Sequence, residues 1–255
     1  MSIRFTQESE RPHVGHLSLD FNELNLFTID EANELHDHVC AIPDEIAVLT
    51  ISADQVDANT DDLRGLSAGL NLKWARSLDA HEGQTLLESF YETIEAIRNL
   101  DAVVFCGCGS YTLGVGFELA LACEFRVATL DARVGLPEVN VGLPTVIHGG
   151  LLHYFVGLQT ATELIYTGET LSGERAAELE LVNRAVAPDE YDDVFETLVS
   201  NVASKEPHVL KTQKQVMRRY RSDSLERGIH ASIGDIGRVF GTDAQRRAMD
   251  SFFEE

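Results

Sequence analysis

Residues 111–144 read YTLGVGFELALACEFRVATLDARVGLPEVNVGLP, and they contain a glycine-spaced turn, Gly114-Val115-Gly116, that leads directly into an apolar segment. Glu118 follows this turn, so we expect it near a helix N-terminus, where free N–H groups and the helix dipole stabilise developing negative charge. Glu138 lies twenty positions later and follows Pro137, whose fixed φ restricts the chain. One oxyanion site and two carboxylates predict acid/base chemistry beside a polarised carbonyl group.

Each of these features also has an ordinary structural explanation. A glutamate in the first turn of a helix stabilises that helix through the dipole, and a glycine pair before a helix is commonly only a turn. A glutamate after a proline is commonly a surface residue. Taken one at a time, these features favour structure over catalysis.

The length and composition of the chain favour one folded unit with a substantial core. It has 255 residues, of which 44% are apolar, so we expect one large domain or a domain with an appendage. No apolar run approaches the length of a membrane span, and the first residues lack the basic-then-apolar pattern of a signal peptide. We therefore expect a cytoplasmic protein that does not enter membranes.

The charge of the chain is strongly negative. Its 42 acidic and 20 basic residues give a net charge of −22, which repels nucleic acid and anionic membranes. The four lysines are Lys73, Lys205, Lys211 and Lys214. Many carboxylates and few lysines favour a halophilic source, where salt screens the repulsion, over an ordinary acidic protein.

Four cysteines occur, at positions 40, 106, 108 and 123. The pair Cys106-Gly107-Cys108 raises the question of metal binding or redox chemistry, but no second Cys/His pair stands at zinc-site spacing. We expect free, mostly buried thiols and no metal site.

The first 145 residues alternate between strand-like and helical patterns, which predicts an α/β fold. Thr28 and Glu31 have capping-box spacing at the start of the first helix. Segments 54–67 and 78–83 are expected to be loops. The predicted strands are 14–20, 45–52, 102–106 and 125–129, and the predicted helices are 28–40, 85–100 and 115–123.

The pattern becomes largely helical after residue 145. Gly157 and Gly168 are expected to stop helices, and a short strand is predicted at 181–186. We therefore divide the chain into a core, 1–188, and a C-terminal helical region, 189–255. The helices predicted here are 148–156, 160–167, 173–179, 190–204, 207–220, 224–239 and 243–253.

The order of these pieces resembles the crotonase, or enoyl-CoA hydratase/isomerase, family. The resemblance is carried by Asn25-Leu26-Phe27-Thr28, by LSAGLNL at 66–72, by LGVGFELALACE at 113–124, by Gly135-Leu136-Pro137-Glu138, and by Thr167-Gly168-Glu169. It implies a spiral of ββα turns followed by a helical region that drives homotrimers, often paired into hexamers.

The same resemblance implies roles for individual residues. The backbone amides of Leu70 and Val115 would hold the oxygen of an acyl-CoA thioester. Glu118 would activate water and Glu138 would transfer a proton to the α-carbon, or both would share one water. Coenzyme A enters as part of the substrate, so no metal or redox cofactor is implied.

Further residues are assigned to substrate binding by the resemblance. Lys73, Trp74 and Arg76 would contact the phosphates or adenine of coenzyme A, although an exposed helix start explains them equally well. The substrate-binding positions are Leu24, Ala68, Asn71, Leu72, Lys73 and Gly114.

Some residues depart from the family pattern. Val115 replaces a glycine and is expected to narrow the freedom of the turn. Asn71 replaces an aspartate. The segment 143–148 lacks the usual glycine-rich run, so the resemblance does not indicate which acyl group the substrate carries. His148 has two readings, a ligand or base and a packed side chain, and we favour the packed side chain.

The sequence thus predicts syn hydration of a trans-2-enoyl-CoA to a 3-hydroxyacyl-CoA. The presence of both glutamates favours this reaction. Two alternatives remain open: another acyl-CoA reaction on the same scaffold, such as Δ3-Δ2 isomerisation, thioester hydrolysis or decarboxylation, and a catalytically silent protein that binds CoA esters.

Overall fold

The fold centres on one mixed sheet. The computed structural model describes residues 3–54, 63–222 and 224–254. Within these residues the sheet has seven strands in the order β1-β2-β3-β4-β5-β6, and β7 also pairs with β5. Strands β2 to β5 run parallel, whereas β1 and β6 are antiparallel to their neighbours. The strands are β1 Ile3–Gln7, β2 Val14–Leu19, β3 Val48–Ala53, β4 Val103–Leu113, β5 Phe125–Gly135, β6 Thr170–Ser172 and β7 Arg184–Val186.

Helices connect the parallel strands and continue beyond the sheet. This arrangement confirms the predicted α/β class, with a helical C-terminal part. Short 3-10 helices cover Glu138–Val141, Ile147–Leu151 and Pro188–Glu190. The α-helices are α1 Ile29–Cys40, α2 Leu72–Ala75, α3 Ala80–Asn99, α4 Val115–Ala122, α5 Leu152–Thr167, α6 Gly173–Glu178, α7 Tyr191–Ala203, α8 Pro207–Ser222, α9 Leu225–Ile236 and α10 Asp243–Glu254.

Capping explains where α1 and α3 begin. The predicted capping box of Thr28 and Glu31 is present in α1. The prediction of a loop over 78–83 was wrong from residue 80 onward, because Asp79 and Glu82 form a second capping box. This cap outweighs the helix penalty of Gly83, which is about 1 kcal/mol.

Strands β4 and β5 extend well beyond the predicted segments 102–106 and 125–129. Each has 11 residues. The pairing of β4 with β5 shifts between Gly107 and Gly109 and again before Tyr111, so a bulge lets β4 continue where the sequence suggested its end. Gly109 has φ +59°, and a Cβ there would lie 2.0 Å from the carbonyl oxygen of Arg64. The extension brings Leu113 to the start of α4.

Other boundaries differ by smaller amounts. β3 and β7 begin three residues later than predicted, and β1 was not predicted. Gly157 is non-helical, with φ 76° and ψ 164°, and separates two helical parts of α5 as expected, and Gly168 caps α5 in the left-handed conformation, also as expected. The helices predicted after residue 188 lie close to α7–α10. Most of the loop predicted for 54–67 lies outside the described residues.

The core lies on both faces of the sheet. The larger cluster fills the space between the sheet and helices α1, α3 and α4. On the other face α7 packs Val199 and Ala203 against Val14, Val48 and Phe105. Helix α4 therefore lies with its N-terminus at the end of β4 and its body buried.

Cys106, Cys108 and Cys123 are buried free thiols, and Cys40 is an exposed one. Among the described residues, no cluster of His, Cys, Asp or Glu side chains is arranged to hold a metal ion.

The described helices include none with the length and apolar character needed to cross a membrane.

Candidate active site

The first predicted donor, Leu70, lies in a one-residue parallel bridge with Phe27. The two hydrogen bonds of this bridge run from Phe27 N–H to the Gly69 carbonyl at 2.9 Å and from Asn71 N–H to the Phe27 carbonyl at 2.8 Å. A parallel bridge uses the groups that flank the bridged residue, so the N–H of Leu70 points away from Phe27. It has no backbone partner in the described part of the chain.

The second predicted donor, Val115, is the first residue of α4. The N–H groups of the first helical turn have no partner within their helix, so this one is available to an acceptor outside it. The unusual backbone conformation falls on Gly114, with φ 57° and ψ −132°. Val115 itself has a helical backbone, so its side chain does not restrict the turn. The position of the turn that requires glycine is 114.

Glycines bring the two donor segments together. A Cβ on Gly69, which has φ +92°, would lie 2.9 Å from the Leu113 carbonyl oxygen. A Cβ on Gly114 would lie 3.7 Å from the Cα of Gly69, and one on Gly116 would lie 2.8 Å from the Cβ of Ser67. Three glycines thus let two backbone segments approach closely, with a donor on each.

Glu118 lies in the first turn of α4 and is 4% exposed. Burial, with the charge of Glu138, raises the pKa of its carboxyl well above the ordinary value. The backbone N–H groups of Gly149 and His148 oppose this rise because they stabilise the ionised form. The Oε2 atom is buried and has no hydrogen-bond partner among the described residues. The carboxylate of Glu118 therefore lies beside the backbone of His148 and Gly149, and its Oε2 atom is available to a partner.

Glu138 begins the 3-10 helix that follows β5 and is half-buried. Burial raises the pKa of its carboxyl, and the hydroxyl of Thr145, which donates to Oε2 at 2.8 Å, opposes the rise. The Oε1 atom lies beside the N-terminus of α4, 3.2 Å from the place of a Cβ on Gly114. The second carboxylate is thus next to the second donor segment.

One cavity of about 660 Å³ collects these groups. Its lining includes both carboxylates and both donor residues, Glu118, Glu138, Leu70 and Val115. Three of the predicted substrate-binding residues also line it, namely Ala68, Leu72 and Gly114. Most of the remaining wall is apolar and comes from α3 and from the segment 141–147, including Leu86, Phe90, Val141 and Ile147.

The other predicted substrate-binding residues lie outside this lining. Leu24 is 42% exposed, and its carbonyl accepts from the Ala68 N–H. Asn71 caps α2 by accepting from the Trp74 N–H at 3.2 Å, so asparagine performs the cap without the charge of an aspartate. Lys73 is exposed, whereas Trp74 packs partly against the core.

Sequence reasoning missed several residues that support the site. Ser67 is buried, donates to the Asn25 carbonyl at 2.6 Å and accepts from the Gly69 N–H at 2.9 Å, which fixes the first donor segment. Thr145 was not singled out as the partner of Glu138. His148 is packed, as favoured, and bonds to Glu95, 53 positions earlier. No local pattern signals a contact of that separation.

The chain belongs to the enoyl-CoA hydratase/isomerase family, because the family model of that description matches residues 63–255. The short-chain-enoyl-CoA hydratase of Clostridium acetobutylicum is 25% identical over 236 residues, which are 92% of this chain and 87% of that protein. A probable enoyl-CoA hydratase of Bacillus subtilis is 31% identical over 196 residues, or 75% of this chain and 76% of that protein.

Solved structures show the same fold. The crystal structure of the enoyl-CoA hydratase from Bacillus anthracis matches with a TM-score of 0.90 at 24% identity, and the match covers 100% of this chain and 96% of that one.

Proposed function

We propose that this chain is an enoyl-CoA hydratase that adds water to a trans-2-enoyl-CoA and forms a 3-hydroxyacyl-CoA. The observation that carries the proposal is the lining of one cavity by two carboxylates and by two backbone donors that have no backbone partner among the described residues. The family and its hydratase members support the same reaction. We propose no resident metal or cofactor, since coenzyme A arrives with the substrate.

The donors of Leu70 and Val115 would bind the thioester oxygen and stabilise the negative charge that grows there as water attacks the β-carbon. This polarisation makes the β-carbon electrophilic. The enolate that forms then takes a proton at the α-carbon. Over the whole reaction, one water supplies the hydroxyl group at the β-carbon, and the two carboxylates transfer the proton of that water to the α-carbon.

When the two carboxylates hold one proton, that proton resides mainly on Glu118. Glu118 is the more buried of the two, and the negative charge of Glu138 raises its pKa further. Two interacting acids titrate as a pair, and one proton is shared between them over a range of pH. This favours the alternative in which both glutamates share one water over a fixed division that makes Glu118 the base alone. Glu138 would receive the proton of the water as Glu118 delivers its own proton to the α-carbon, and the proton would then pass from Glu138 to Glu118 and restore the starting state.

The test is hydration of crotonyl-CoA by the parent protein and by Glu118→Gln and Glu138→Gln. We expect each change to lower kcat by about 100- to 10,000-fold, the usual contribution of a general acid or base. Glu174→Gln, on the exposed side of α6, is the matched control and should keep full activity.

The parent protein and the two glutamine variants also distinguish the alternative functions. Δ3-Δ2 isomerase activity that survives one of the two changes would favour the isomerase and contradict the hydratase. Binding of CoA esters without turnover by the parent protein would favour a silent binding protein.

We further propose a homotrimer or homohexamer. Ile229, Ile233, Ile236 and Phe240 form a stripe along and just after α9 and are 48–67% exposed in the single chain. Exposed apolar stripes of this kind commonly mark subunit interfaces. Ile233→Asp should lower the mass measured by light scattering toward that of one chain, and an unchanged mass would exclude this stripe as the interface.

A further inference from the structure

The segment between Pro144 and Leu151 carries a strained residue. Ile147 has φ +42°, a left-handed conformation that β-branched residues rarely adopt. Such strain costs about 1–3 kcal/mol and persists only where neighbouring contacts impose it. The next residue, His148, supplies those contacts.

The ring of His148 is held on two sides by α3. Its Nε2 atom lies 2.8 Å from Oε1 of Glu95, and Tyr91 stacks on the ring with 5.5 Å between ring centroids. A carboxylate only accepts, so Nε2 carries the hydrogen and donates it. The Nδ1 atom is buried and has no partner among the described residues, which favours the neutral ring. His148 itself does not line the cavity, although its neighbour Ile147 does.

The backbone of the same segment contacts Glu118. The N–H groups of His148 and Gly149 lie where they favour its ionised form, and the Gly149 N–H also donates to the Val146 carbonyl at 3.0 Å. The approach is close, because a Cβ on Gly149 would lie 3.1 Å from Oε1 of Glu118 and 2.2 Å from Cγ2 of Thr145. One residue therefore joins α3, through its side chain, to the carboxylate on α4, through its backbone.

We propose that His148 is a positioning residue, whose side-chain hydrogen bond to Glu95 holds two backbone N–H groups against the carboxylate of Glu118. Loss of the bond lets Ile147 relax from its strained conformation and carries the amides away. Glu118 then loses stabilisation of its charged form, and its affinity for a proton rises. The proposal rests on the proposed function only for the kinetic part of its test.

The charges around His148 and Glu118 make it possible to distinguish a movement of the backbone from a direct electrostatic effect of Glu95 on the pKa of Glu118. Glu138 faces Glu118 and stays unchanged, while Glu95, Arg98 and Tyr91 of α3 face His148. Removing the negative charge of Glu95 would by itself lower the proton affinity of Glu118. The proposal predicts a change in the opposite direction.

The experiment is an infrared titration of the Glu118 carboxyl in the protein without substrate, assigned by subtraction of Glu118→Gln. In Glu95→Ala and His148→Ala we expect the measured pKa of Glu118 to rise. Glu95→Gln keeps an acceptor for the Nε2–H group of His148 and should not raise the pKa of Glu118. Glu92→Ala, an exposed glutamate of the same helix, is the matched control and should change nothing.

The kinetic readout is the hydration of crotonyl-CoA. We expect kcat of Glu95→Ala to fall about 3- to 10-fold, which corresponds to one net hydrogen bond, at unchanged KM. The limb of the pH profile that belongs to Glu118 should move to higher pH, whereas simple loss of folded protein would lower the rate equally at every pH.

A folded Glu95→Ala protein with the parent pKa at Glu118 would overturn the proposal, even if His148→Ala fails to fold. An equal rise in Glu92→Ala would overturn it as well. If no variant, the parent included, hydrates crotonyl-CoA, the proposed function fails while the titration still decides the role of His148.

Discussion

The two backbone donors and the two carboxylates face the same cavity, but different interactions hold them there. The donors depend on main-chain conformation: a parallel bridge aims the N–H of Leu70, and the start of α4 presents that of Val115. The carboxylates depend on their surroundings, since burial raises both pKa values and nearby hydrogen-bond donors oppose the rise.

This difference determines which substitutions matter in each half. In the donor half, the identity of the donor side chain has little influence, and the neighbouring glycines are critical. In the carboxylate half, an isosteric change of one side chain alters both charge and stability. Each of the following changes tests one side of this contrast.

In the donor half, the largest loss of rate is expected for Gly69→Ala. The new methyl group would meet the Leu113 carbonyl at 2.9 Å, in a conformation with φ +92° that alanine disfavours. The bridge must shift, and the N–H of Leu70 leaves its position. Loss of one oxyanion donor lowers kcat by about 100- to 1,000-fold, and steady-state kinetics with crotonyl-CoA measures it.

Gly234→Ala is the control for this change, since a Cβ there meets nothing within 4 Å. Circular dichroism should show both variants folded. A Gly69→Ala enzyme with the parent rate would mean that the donor half tolerates displacement, and the contrast with the carboxylates would be lost.

A stability effect of intermediate size is expected for Glu118→Gln. Below the ordinary carboxyl pKa of 4.5, Glu118 is protonated in both the folded and the unfolded protein, so parent and variant should be alike. As pH rises from there to the raised folded pKa, the unfolded chain releases a proton that the folded protein retains, and the parent loses stability. Glutamine avoids this loss.

The variant should therefore melt above the parent at pH 8 and equally with it at pH 4. Each kcal/mol of difference corresponds to about 2–4 °C in Tm for a chain of this size. Glu138→Gln should gain less, because Glu138 is only half-buried. Equal gains, or a gain that persists at low pH, would show that burial is not what distinguishes the two carboxylates.

The same contrast explains what the sequence could predict. The donor half was predicted through the family resemblance of two short segments: LSAGLNL at 66–72 and LGVGFELA at 113–120 place both turns and Glu118 within a few residues of their supporting glycines. The fold class followed from the alternation of strands and helices. Such information is local, and glycine, proline and capping residues express it directly.

The surroundings of the carboxylates were not predictable in this way. The bond between Glu95 and His148 joins residues 53 positions apart, and Thr145 reaches Glu138 only because a 3-10 helix turns the chain back. The extension of β4 through its bulge was hidden for a similar reason, since pairing with β5 carries it past Gly109. Tertiary contacts decide these features, and local propensity does not contain them.

The smallest effect is expected for Val115→Gly. Residue 115 is helical and donates through its backbone, so glycine preserves the donor and removes only a side chain that lines the cavity. We expect kcat to stay within about threefold of the parent, a change below ~0.7 kcal/mol. Thermal melting should show a loss of about 0.5–1 kcal/mol from the flexibility of glycine.

Gly114→Ala gives the matched comparison one residue earlier in the same turn. Its φ of +57° and the position of its would-be Cβ, 3.2 Å from Oε1 of Glu138, predict a far larger loss of rate. If the two variants lose activity equally, the side chain of Val115 contributes to the orientation of its N–H group. The contrast between donors positioned by the backbone and carboxylates positioned by their surroundings would then not hold at the start of α4.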